Sequence, residues 1–141
     1  MPNTPSTILP TMRYKDAPAA IEWLCNVLGF TRHAVYPGPD NTIAHAQLTL
    51  GGGMIMLGSA RDDEHGRSLA TPTETGGMET GSRYVFDSNI DLVYARAVAA
   101  GAEIIRPLHL TDHGSRDFAL KDPEGYTWWI GNYDPWAEPE G

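Results

Sequence analysis

The chain has 141 residues, 41% of them hydrophobic, enough to bury one core or two small repeats fused into one globule. Ten Lys and Arg against 18 Asp and Glu give a net charge of −8, and the basic residues form no run. Nucleic acid and anionic membrane surfaces are therefore not expected as partners. The one cysteine, Cys25, closes no internal disulfide, and no apolar stretch approaches the roughly 18 residues of a membrane span. The first residues show neither a basic nor an apolar leader region, so a cytoplasmic protein is expected.

In chain order, residues 6–14 alternate as a strand does. Asp16 has the chemistry of a helix N-cap, and Pro18 suits the first helical turn. Ala20, Ile21, Leu24, Val27 and Leu28 then recur at helical spacing, and Gly29 stands where a C-cap glycine belongs. Strands are predicted over 31–36, 42–50 and 54–58, separated by a Pro-Gly-Pro-Asp-Asn turn and by Gly51, Gly52 and Gly53. The second half writes the same order again. A strand over 82–87 precedes Ser88 and Asp91, spaced as a capping box, and a helix runs through Tyr94, Val98 and Ala99 to Gly101. Strands over 102–106, 116–121 and 127–132 follow, with an Asp-Pro-Glu-Gly turn at 122–125 before the last.

The stretches from Asp16 to Gly29 and from Asp87 to Gly101 match in length to within one residue. The chain therefore reads as one α+β domain of two tandem βαβββ modules, 6–58 and 81–133. A polar linker loop spans 59–80 and a tail spans 134–141.

Two such modules resemble the vicinal-oxygen-chelate superfamily of glyoxalases, extradiol dioxygenases and bleomycin-resistance proteins. The strings "DAPAAIEWLCNVLGF", "AHAQLTLGGGMIMLGS" and "HGSRDFALKDPEGYTWWIGNY" carry the resemblance. The last is similar to a segment of the bleomycin-resistance-like members. The resemblance implies a curved mixed sheet around a cup with helices on its outer face, and a homodimer. It also implies four metal-ligand positions, from the first and last strand of each module. Here they fall on Pro10, Met56, Ser82 (Arg83 if the register slips by one) and Trp129. Proline and tryptophan offer no lone pair, methionine is soft and serine weak, so neither a metal nor another cofactor is expected.

Alternation along the strands gives the neighbours of these positions. Met54 shares a face with Met56, and His45 and Gln47 turn the same way on the preceding strand. Tyr84 and Phe86 accompany Ser82, while His113 and Asp117 lie near the mouth of the cup. These ten residues, Met56, Ser82 and Trp129 included, are the candidate ligand site. Such a face suits a planar or cationic small molecule; equally, it can fill the hollow left by a metal or bury a dimer interface.

The leading reading is a non-catalytic binder that sequesters an aromatic or cationic compound, an antibiotic among them. The alternative is a lyase, isomerase or dioxygenase with a displaced metal on His45, His113 or Glu124. A third is metal-free general-base chemistry by His45 or His113. His109 and His113 read as flanking a loop, and Arg83 as an edge residue or a partner of Asp87.

Overall fold

The computed structural model describes residues 5–64 and 66–137, with only the backbone of Arg67. The first four residues, His65 and the 138–141 end of the tail lie outside the described residues. So do the readings made of them.

The architecture is α+β, with two repeated βαβββ modules. In the first, β1 (Thr11–Tyr14) leads into α1 (Ala17–Trp23), which continues as a π-helical turn over Leu24–Leu28. The strands β2 (Thr31–Pro37), β3 (Ile43–Leu50) and β4 (Gly53–Ser59) follow. In the second, β5 (Arg83–Phe86) precedes α2 (Ile90–Ala99), β6 (Glu103–Leu110), β7 (Arg116–Lys121) and β8 (Thr127–Gly131). The strand orders are β1-β4-β3-β2 and β5-β8-β7-β6. In each sheet the first strand pairs parallel with the last, and the other pairs are antiparallel.

Local chemistry accounts for most boundaries. The Asp16 carboxylate accepts from the Ala19 N–H at 3.2 Å, so the predicted N-cap forms. Gly29 closes the helix at φ 88°, a left-handed conformation that costs glycine nothing. The predicted capping box at Ser88 and Asp91 does not form. The N-cap is Asn89, without a side-chain cap bond, and the Asp87 carboxylate accepts from the Asn89 N–H at 2.8 Å. The first strand is shorter than predicted because Pro10 has no N–H to pair; its carbonyl still accepts from the Met56 N–H at 3.0 Å. Strand β6 is longer than predicted, running through Pro107 to Leu110. It is an edge strand, where a missing N–H need not interrupt the ladder, and its register shifts on both sides of Arg106.

Each sheet buries one face. In module one, Met12, Tyr14, Ala46, Leu48, Ile55 and Leu57 pack with Ile21, Leu24 and Leu28 of the helical segment. In module two, Phe118, Leu120, Trp128 and Ile130 pack with Ile90, Val93 and Ala97, and Tyr94 meets Phe118 edge-on at 4.9 Å. Burying a side chain of this size contributes about 2 kcal/mol, so these faces hold each module together.

The chain divides into two compact units. One comprises Met1–Met78 with the turn Pro123–Gly125; the other comprises Glu79–Asp122 with Tyr126–Gly141. Glu124 thus falls in the first unit, where its carboxylate accepts from the backbone N–H groups of Lys15 (2.6 Å) and Asp16 (2.8 Å).

Candidate functional site

The open face of module one is set by register. Thr11 pairs with Met56 and Arg13 with Gly58 between β1 and β4, and Gln47 pairs with Met56 between β3 and β4. Because side chains alternate, Thr11, Arg13, His45, Gln47, Met54 and Met56 share the face away from α1. A cavity of about 310 Å³ opens there, lined by Thr11, Arg13, His45, Met56, Leu57, Ser68 and Leu69. The Gln47 amide nitrogen lies 3.2 Å from His45 Nε2, and the Tyr36 ring stacks on the imidazole at 6.1 Å between centroids. Met54 opposes Thr49 on the same face and does not line the cavity.

Module two repeats the register with different side chains. Tyr84 pairs with Trp129 and Phe86 with Gly131 between β5 and β8, while Asp117 pairs with Gly131 and with His109. Trp128 is buried and Trp129 half-buried, the division alternation predicts. A cavity of about 270 Å³ is lined by Arg106, His109, Leu110, Thr111, Asp112, His113, Asp117 and Trp129. His109 Nε2 lies 3.1 Å from the Asp117 carboxylate, and its Nδ1 lies 2.9 Å from the Pro107 carbonyl. The His113 ring meets Tyr133 edge-on at 5.2 Å. The Tyr84 hydroxyl donates to the Tyr133 carbonyl at 2.8 Å; burial and the nearby Asp117 charge push that phenol above its ordinary pKa. Phe86, 44% exposed, lies outside the cavity.

Register corrects two of the positions carried over from the motifs. The residue opposite Met56 is Thr11, one place after Pro10, and the residue opposite Trp129 is Tyr84, two places after Ser82. Pro10 and Ser82 both precede their strands and are exposed; by alternation Pro10 falls on the face opposite Thr11, whereas Ser82 keeps the face of Tyr84. Arg83 does stand on an edge strand, β5, and its charged partner is Glu79 rather than Asp87. It points to the closed face, forms an ion pair with Glu79, donates to the Thr127 carbonyl at 3.2 Å, and lies 4.9 Å from the Tyr126 ring centroid.

Most of the lining residues are not among the sequence candidates, His109, Thr11 and Arg13 included. His109 falls beyond the predicted strand 102–106, although the alternation Leu108, His109, Leu110 signals a continuing strand. A register that starts at Pro10 turns Thr11 and Arg13 to the opposite face, whereas they pair with Met56 and Gly58.

The donor set does not fit a divalent cation. Each module brings one residue pair to the first-and-last-strand position: Thr11 with Met56, and Tyr84 with Trp129. A neutral hydroxyl, a thioether and an indole are poor donors, and a phenol with a raised pKa resists becoming phenolate. Among the described residues no group of three or more His, Cys, Asp or Glu could hold a metal ion. Both Glu124 oxygens face backbone donors rather than a cavity. No described helix is long and apolar enough to cross a membrane.

Known proteins share this fold. Residues 8–130 match the family model described as the Glyoxalase/Bleomycin resistance protein/Dioxygenase superfamily. The uncharacterized protein Mb0911c of Mycobacterium bovis is 28% identical over 129 residues, covering 92% of this chain and 84% of that protein. The crystal structure of TioX from Micromonospora sp. ML1 superposes with a TM-score of 0.71 at 27% identity, covering 92% of this chain and 99% of the other. A superfamily member from Sphaerobacter thermophilus shares the fold, with a TM-score of 0.67, 21% identity and coverage of 89% and 97%.

Proposed function

Because the chain belongs to the Glyoxalase/Bleomycin resistance protein/Dioxygenase superfamily, we propose that it binds a small aromatic or cationic molecule without a metal. One observation carries this reading. The paired positions that would hold a metal present Thr11 with Met56 and Tyr84 with Trp129, surfaces for a ring rather than for an ion. Trp129 and Tyr84 offer stacking faces, Met54 and Met56 offer polarizable sulfur, and Phe86 extends the aromatic surface of module two. Asp117 and His113 stand beside Trp129 in a cavity, so a cationic group on the guest would meet a carboxylate there. His45 and Gln47 supply polar contacts in module one. Function by mass action needs no chemical step: a tightly held toxin, such as an antibiotic, is withdrawn from its target.

The exposed rings of Tyr84 (42%) and Phe86 (44%) also support a working homodimer that covers them. Light scattering on eluted protein tests that assembly; twice the 15.4 kDa chain mass is expected. The binding reading is tested by metal analysis followed by ligand screening. After exposure to nickel, zinc, iron and manganese and dialysis, less than about a tenth of an equivalent should remain. A planar cation from a panel should raise the melting temperature of wild type and not of Trp129→Ala. A stoichiometric ion, or a panel without any stabilising compound, overturns the proposal.

A further inference from the structure

The two cavities carry opposite chemistry at one equivalent spot. The last strands align as Met56-Leu57-Gly58 and Trp129-Ile130-Gly131, so Gly58 and Gly131 correspond, and by register His45 corresponds to Asp117. In module two that spot holds a carboxylate. In module one it holds an imidazole with a guanidinium beside it: a Cβ on Gly58 would lie 2.7 Å from an Arg13 terminal nitrogen. The missing side chain lets the Arg13 head lie across β4 at the cavity wall.

From this we infer that the module-one cavity is a site for the anionic end of a small organic acid. The inference rests on the metal-free binding reading and gives this cavity its own ligand class. Arg13 supplies the charge, and Thr11 and Ser68 supply hydroxyls at the same wall. The His45 ring, 3.2 Å from the Gln47 amide nitrogen, lies at the same wall. Met56 and Leu69 give an apolar surface for the body of the guest. None of the described lining residues is acidic. The chain's charge of −8 opposes anions at long range, so selectivity must come from these local donors. The space suits a one-ring acid.

Benzoate, benzamide and benzamidine share a ring and differ in charge, and backbone amide NMR on the intact chain locates their binding. Benzoate should shift the Thr11 and Gly58 amides saturably, benzamide more weakly, and benzamidine not at all. Arg13→Gln should weaken benzoate about tenfold or more and benzamide far less; Arg13→Lys should retain part of the benzoate affinity. The wild-type charge series stands even if the Gln variant folds poorly. Benzamidine matching benzoate at these amides, or both Arg13 variants leaving benzoate unchanged, overturns the inference. If benzamidine moves only the Tyr84 and Trp129 amides and nothing moves Thr11 or Gly58, the inference falls and the binding reading stands. If no probe moves any of these amides, both fall.

Discussion

Module one spends its last strand on Met56-Leu57-Gly58 and module two on Trp129-Ile130-Gly131, and the registers on either side are the same. Leu57 and Ile130 go to the closed faces, Met56 and Trp129 to the open ones. What differs is the polar complement. Over Gly58 lies the Arg13 guanidinium; over Gly131 crowd the Asp117 Cβ (2.8 Å from an added Cβ) and the Tyr84 hydroxyl (2.9 Å). A repeat thus fixes the backbone and leaves the open face free to diverge, because the closed face alone carries the packing energy.

The largest test separates the two faces of one strand. Trp128→Ala should cost about 3–5 kcal/mol in urea unfolding, since the indole is fully buried and its Nε1 donates to the buried Asp122 at 3.2 Å. Trp129→Ala, one residue on, should cost less than about 1 kcal/mol and act on guest binding instead. Comparable losses would mean that module two has no free face. The next test concerns the closed faces. Met12 opposite Leu57 corresponds to Val85 opposite Ile130, but two places earlier module one has Pro10 and module two has Arg83, opposite Trp128. The Arg83–Glu79 side chains are only 14% and 15% exposed, so Glu79→Gln should strand a shielded cation and cost about 2–3 kcal/mol. A neutral result would show that the Thr127 carbonyl and the Tyr126 and Trp128 rings suffice for the guanidinium.

The glycines give a finer contrast. Gly131→Ala meets a Cβ and the Arg116 carbonyl (3.1 Å), which cannot turn aside, and should cost about 2 kcal/mol. Gly58→Ala meets chiefly the far end of Arg13, which can swing, and should cost about 1 kcal/mol or less. Equal costs would show that the Ala44 carbonyl, 3.0 Å from the added Cβ, is as unyielding as the wall in module two.

These contrasts also show what the sequence could carry. Repeat order, caps at Asp16 and Gly29, and the split of Trp128 from Trp129 follow from periodicity and turn chemistry, which are local. The first-strand positions did not follow. A four-residue strand has too little alternation to fix its register, so Thr11 and Tyr84 emerge only from their pairing with β4 and β8. His109 was hidden for another reason: Pro107 ends a strand only if the strand is interior, and edge position is a property of the sheet. The inward Arg83 was hidden because its partner, Glu79, lies in the stretch read as linker.

The smallest predicted effects lie at opposite ends of the pH scale, one for each unit. In the first unit, Glu74 accepts from the Thr71 N–H (3.1 Å) and hydroxyl (2.8 Å), and these bonds hold its carboxyl below the usual glutamate range. Its contribution is present above the ordinary glutamate pKa, about 4.3, and is lost as pH falls through the lowered folded value. Glu74→Gln should therefore flatten the acid limb of a stability–pH curve. In the second unit, burial raises the Tyr84 pKa, so its contribution is complete below about pH 10, the ordinary phenol value, and is lost as pH rises through the folded value. Tyr84→Phe should flatten the alkaline limb and leave the acid limb alone. If either variant flattens the other limb, the titrating group is not the one named, and the assignment of that limb to its unit fails.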